Sequence, residues 1–210
     1  MCISANASLK VFFSTIIGVF IIIEYGTKEL KNYNILFSLG IMYAVFMQLV
    51  DYFIWIDLDC KKGYNKIVTK LAPMLLYSQP IIILLIGSLL FDNKQIPISL
   101  KIVNIFYGLY VIKNIVDNWD KNECTKLSKE TGYLNWGWKW QPLGIIYFLL
   151  LLTNFLFFAR NIYGITFMGL VLLLYIVLFI FKPKNAGELW CFSSPLILLI
   201  MFIQQRILKI

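Results

Sequence analysis

Histidine is missing altogether from this 210-residue chain. Its absence removes imidazole-ligated haem, zinc centres that use imidazole, and histidine acid–base catalysis in one step. Charge is scarce too, at 14% of residues, whereas a soluble domain of this length needs far more polar surface. No basic run occurs: the formal charge of +8 comes from scattered lysines, which argues against nucleic acid and for anionic lipid headgroups. The four cysteines form no Cys-x-x-Cys pair, the spacing that would mark a redox motif most directly. The opening apolar run reaches Tyr25 behind a single Lys10, with no small-residue cleavage site after it. It reads as a retained first span, not a signal peptide.

What is abundant is apolar surface. Hydrophobic residues make up 60% of the chain and aromatics 17%, an excess that has to face lipid. A helix needs about 20 mostly apolar residues to cross the hydrocarbon core, and helix is the form that satisfies its own backbone there. Seven candidates meet this description: residues 8–24, 34–56, 66–91, 99–117, 142–159, 162–181 and 188–207. The expectation is an all-α, polytopic membrane helical bundle of about seven transmembrane helices, a single domain over residues 1–210. Its longest connection outside the membrane is 118–141. The fourth candidate is interrupted by Lys101, Asn104, Lys113 and Asn114; without it the chain has six spans and the later helices reverse. Arg160 and Asn161 alone join the fifth and sixth.

With seven spans, the side holding the N-terminus carries twelve of the nineteen Lys and Arg residues. The positive-inside bias then places the N-terminus in the cytoplasm. The same parity gathers Cys2, Cys60, Cys124 and Cys191 at that end as a candidate thiol cluster. Gln48, Asp51, Lys70, Gln79, Lys113, Asp117 and Glu188 form a candidate polar pocket opening to the same side. A charge inside the bilayer costs about 2.5–3.5 kcal/mol on insertion scales, so such groups turn inward and pair. Asp51 and Lys70 lie at similar depth on an antiparallel hairpin and are expected to approach each other. Gln48, Asp51 and Trp55 share a helix face by spacing, and Gln79-Pro80 marks a bend or kink in the third span. Lys70 and Lys113 have the alternative of snorkelling to the interface. Trp136, Trp138 and Trp140 read as interface anchors, against a ligand cage.

Several short segments are similar to a known set of sequences: Met1, Cys2 and Ser4 with Ala7-Ser8-Leu9, Asp59-Cys60, Gln79-Pro80 and Trp190-Cys191. Residues 124–136 and Gly187-Glu188 add to the likeness. Together they resemble a family of uncharacterised multi-span proteins found in bacteria and large DNA viruses of protists. The chain departs from that pattern at Ile3, where the family places Trp, and in lacking its histidines. The resemblance implies that Cys2 belongs to a recurring set of thiols. It carries no activity with it.

The leading functional reading is a non-enzymatic multi-pass membrane protein whose polar pocket binds a lipid, ion or small solute. If viral, it would sit in a host or virion membrane. The alternative is a thiol-based membrane oxidoreductase or soft-metal-binding protein using the four cysteines. A transporter or channel is the third reading, though no matching interrupted halves are evident. Retinal is disfavoured because the seventh span has no lysine in its middle. Asp51 with Glu188 is the one carboxylate pair an acid–base hydrolase would have. No cofactor is specified, and the bilayer is the expected partner.

Overall fold

The computed structural model describes residues 4–92, 96–120, 123–129, 132, 134–135, 143–159, 161–181 and 193–207. Among them are eight α-helices, and the fold is all-α apart from one two-residue strand pair. The helices are α1 Ala5–Tyr25, α2 Lys31–Trp55, α3 Tyr64–Tyr77, α4 Gln79–Leu90 and α5 Ile98–Asn118. After the strands β1 Lys126–Leu127 and β2 Leu134–Asn135 come α6 Leu143–Phe158, α7 Ile162–Phe181 and α8 Ser194–Ile207. The strands pair antiparallel, Lys126 opposite Asn135.

Local sequence explains several boundaries. Ser4 caps α1 by accepting a hydrogen bond from the Ala7 N–H at 3.3 Å, as serine does at helix N-termini. Gly63, in the left-handed region at φ 83°, lets the chain turn directly into α3. Cys60 is the one described non-glycine residue with positive φ, at 59°, where only a minority of residue types settle. The expected third span is a broken rod: α3 and α4 meet at Ser78 with a 49° bend. Pro80 has no N–H to give the preceding turn, and neighbouring helices brace the break.

The chain runs back and forth between two ends. One end holds Ser4, the α2–α3 turn and the close of α5. The other holds the α1–α2 turn, the close of α4 and the α6–α7 turn. There Asn32 Nδ2 donates to the Leu90 carbonyl at 2.8 Å, and Phe91 stacks on Phe158 with centroids 5.4 Å apart. Helix α8 is different. Its first residue, Ser194, pairs with Thr15 in the middle of α1, hydroxyl to hydroxyl at 2.9 Å. Its 14 residues rise about 21 Å at 1.5 Å each, short of the roughly 30 Å hydrocarbon core.

Among the described residues, three stretches are fit by length and composition to cross a membrane: α1, residues Lys28–Trp55, and α5. The α3–α4 pair makes a fourth if the bent rod counts as one, and Gly144–Phe158, Ile162–Leu174 and Ser194–Ile207 are shorter apolar helices. Despite its polar interruptions, α5 is a continuous helix. Asn104 turns inward, while Lys113 and Asp117 stay exposed. The largest core cluster joins α1, α2, α7 and α8 through Val19, Ile22, Phe37, Tyr163, Phe167 and Met201. Outside it, Phe13, Ile17 and Phe20 on α1 and Ile105, Phe106 and Leu109 on α5 stand exposed.

Candidate functional site: a clasped end and an apolar interior

The end with the α2–α3 turn is closed by a polar clasp. Asp57 is 1% exposed, and its carboxylate accepts from the backbone N–H of Lys62 at 2.8 Å and of Asn65 at 3.0 Å. These N–H groups sit at the start of α3, where the helix dipole favours an anion. Burial alone would raise this carboxyl. The N–H donors of Lys62, Asn65 and Tyr64, with the Lys62 charge, outweigh that and hold it below the ordinary carboxylate value.

Asn65, fully buried, grips the α5–α6 connection. Its Nδ2 donates to the carbonyls of Thr125 at 2.9 Å and Asp57 at 3.1 Å. Its Oδ1 accepts from the Thr125 N–H at 2.9 Å and the Thr69 hydroxyl at 3.0 Å. The amide thus holds both backbone groups of Thr125, as a neighbouring strand would. Thr69 and Thr125 add a hydroxyl pair at 2.9 Å. One residue before Thr125, Cys124 forms a disulfide with Cys60, with Cα atoms 6.2 Å apart, inside the usual range for such bridges.

The expected polar pocket divides. Gln48 and Asp51 are buried together on α2, at 0% and 1% exposure. Lys70 does not pair with Asp51. It lies 3.8 Å from Asp120 and 5.3 Å from the centre of the Trp119 ring. The α2–α3 hairpin turns Asp51 inward and leaves Lys70 half-buried beside the close of α5. Asp120 is almost fully exposed, so this pair is worth little. Lys113 and Asp117 are exposed on α5 and take no part in a shared pocket. Gln79 is buried and accepts from the Tyr147 hydroxyl at 2.6 Å. Cys2, Cys191, Glu188, Trp136, Trp138 and Trp140 lie outside the described residues. Of the cysteine set, Cys60 and Cys124 are brought together, and their bond leaves neither as a thiolate for a soft metal. Among the described residues no group of three or more Cys, Asp or Glu side chains is placed to hold a metal ion.

Two further polar assemblies brace the bundle. At the α3–α4 break, the Tyr43 hydroxyl meets Ser78 at 2.6 Å and the Tyr107 hydroxyl donates to the Tyr77 carbonyl at 2.9 Å. Asn154 Nδ2 donates to the Pro80 carbonyl at 2.8 Å. Asn154 and Asn104 also exchange amide hydrogen bonds at 2.9 and 3.2 Å. At the opposite end, Gln205 donates to Asn34 and to the Tyr163 hydroxyl, both at 2.8 Å, and accepts from the Thr27 N–H at 2.7 Å. Sequence reasoning passed over Asn65, Thr69, Thr125, Asn154 and Gln205. For Asn154 a signal existed, a lone amide inside "LLLLTNFLFF"; for Thr125 none did.

The cavities are of another character. One of about 80 Å3 lies between α2, α6, α7 and α8, lined by Phe37, Ile41, Leu152, Phe155, Met168 and Val171 among other apolar side chains. A cavity walled in this way stays dry and accepts apolar matter. A wider, open groove of about 560 Å3 runs between α7 and α8, past Leu170, Leu173 and Ile203. Compared with protein-family models, curated proteins and solved structures, the chain matches none.

Proposed function

We propose that this chain is a multi-pass integral membrane protein that holds a lipid chain without catalysing a reaction. The apolar cavity between α2, α6, α7 and α8 carries the reading. Membrane residence is supported by the exposed apolar faces of α1 and α5, which in water would be patches too large to tolerate. The ligand class follows from where the polar groups are. Gln79, Asn104, Asn154, Gln205 and the clasp residues bind one another or backbone, leaving the cavity wall to Phe, Leu, Ile, Met and Val. That wall suits the end of an acyl chain and has nothing to offer an ion.

The bent α3–α4 rod is the feature a transporter would share. Here the Tyr77, Ser78 and Pro80 positions are stitched to α2, α5 and α6, which favours a packed joint over a moving gate. Thiol–disulfide exchange draws on Cys60 and Cys124, but the hydrogen-bonded clasp beside them suits a staple better than a reaction centre.

The test is native mass spectrometry of protein purified in mild detergent. Wild type should carry co-purified lipid. Met168→Trp or the milder Val171→Phe should remove it by filling the cavity, while Leu109→Trp on the exposed face of α5 should not. Equal lipid on all four proteins, or none on wild type, overturns the reading.

A further inference from the structure

We infer that the clasped end of the bundle faces an oxidising compartment, so that the α2–α3 turn and the α5–α6 connection lie on the side of the membrane away from the cytosol. The inference rests on the multi-pass reading above, and it reverses the orientation that the lysine count suggests.

The bridge joins residues 64 apart in sequence, on two connections that meet only through the tertiary fold. Their meeting does not depend on the bond itself. Asn65 holds the N–H and C=O of Thr125, Thr69 holds its hydroxyl, and Lys70 reaches Asp120. The residue that follows Cys124 is therefore set against the α2–α3 turn by noncovalent ties. Cys60 takes a left-handed backbone conformation, and its N–H donates to the Asp57 carbonyl at 2.9 Å, fixing the turn from which its side chain starts.

A half-buried pair of sulfurs positioned this way closes in two successive exchanges. The Cys60 thiolate attacks the disulfide of an oxidative-folding oxidoreductase, and Cys124 displaces that enzyme from the mixed disulfide. Two protein thiols become one disulfide, and the donor leaves as a dithiol with both electrons. Such donors and the bonds they make persist outside the cytosol, where thiols are otherwise kept reduced.

Two signals then conflict. The sequence expectation of twelve of nineteen Lys and Arg residues on this side argues for the cytosol by a statistical bias. The disulfide argues against it as a chemical condition for the bond to last, and it outranks the bias. The other end, with the α1–α2, α4–α5 and α6–α7 turns, is then cytosolic.

The experiment uses the full chain in intact cells. Free thiols are blocked with a membrane-permeant maleimide, and the protein is digested without reduction and mapped by mass spectrometry. A linked pair of peptides containing Cys60 and Cys124 is expected, unmodified by maleimide. In a second arm, intact cells are treated with a membrane-impermeant reductant and then an impermeant maleimide. Both cysteines should become labelled without permeabilisation. Maleimide on Cys60 and Cys124 in the first arm, or labelling only after permeabilisation in the second, overturns the inference. Alkaline carbonate extraction separates the two readings: release into the soluble fraction defeats membrane residence, whereas retention with cytosolic labelling defeats the orientation alone.

Discussion

Replacing Asn65 with alanine should open the clasp. The side chain makes four hydrogen bonds, two given by Nδ2 and two taken by Oδ1, and it is fully buried. Truncation leaves the C=O of Thr125, itself 1% exposed, without its Asn65 donor, and its N–H with only a long bond to the Thr69 hydroxyl at 3.4 Å. Two of these bonds reach Thr125, so at about 1 kcal/mol for each net hydrogen bond the loss is about 2 kcal/mol, roughly thirtyfold in the opening equilibrium. The disulfide keeps the connection tethered, so the opening is local and global unfolding is a poor probe. Amide hydrogen exchange at Thr125 reads it directly, because that N–H is held by Oδ1 of Asn65. Protection there should fall by up to that factor while the Ile83 amide inside α4 keeps its rate. Thr69→Val, which removes the hydroxyl contact to Thr125, should give a smaller drop, from about 1 kcal/mol. Unchanged exchange at Thr125 in Asn65→Ala would refute the idea that this amide secures the connection.

Two more outcomes follow from the same structure. Asp57 has a folded pKa below its ordinary value of 3.8, so its contribution is fully present above that value and lost as pH falls through the lower folded one. Thr125 protection should therefore hold down to about pH 4 and then fall, and Asp57→Asn should lack that acid step; an identical step in the variant sinks the assignment. Gly87 faces the Phe158 ring so closely that an added Cβ would collide with it. Gly87→Ala should destabilise the protein by about 1–3 kcal/mol through overpacking. Phe158→Leu in the same chain should relieve part of that loss in thermal unfolding, and full tolerance of Gly87→Ala alone would contradict the packing.

Sequence reading located the helices well where apolar runs are long and uninterrupted. Residues 8–24 and 34–56 fall inside α1 and the Lys28–Trp55 stretch almost end to end, since hydropathy over some 20 residues is a local property. It also flagged Gln79-Pro80, because proline's missing donor is written in the residue itself. The candidate site was legible only in part. Gln48 and Asp51 are buried as their shared face implied, but the Asp51–Lys70 pair failed. A partner is chosen by the three-dimensional path of a hairpin, and Asp120 at the end of α5 came within reach of Lys70 instead.

Composition alone determined that this chain builds helices with apolar exteriors and that imidazole chemistry has no place in it. Which polar side chains meet was decided by tertiary structure. Asn65 and Thr125 stand sixty residues apart, as Asn104 and Asn154 stand fifty apart. Hydrogen bonding is short-ranged, and nothing in the order of residues states which distant segments the packing of helices will bring to within 3 Å.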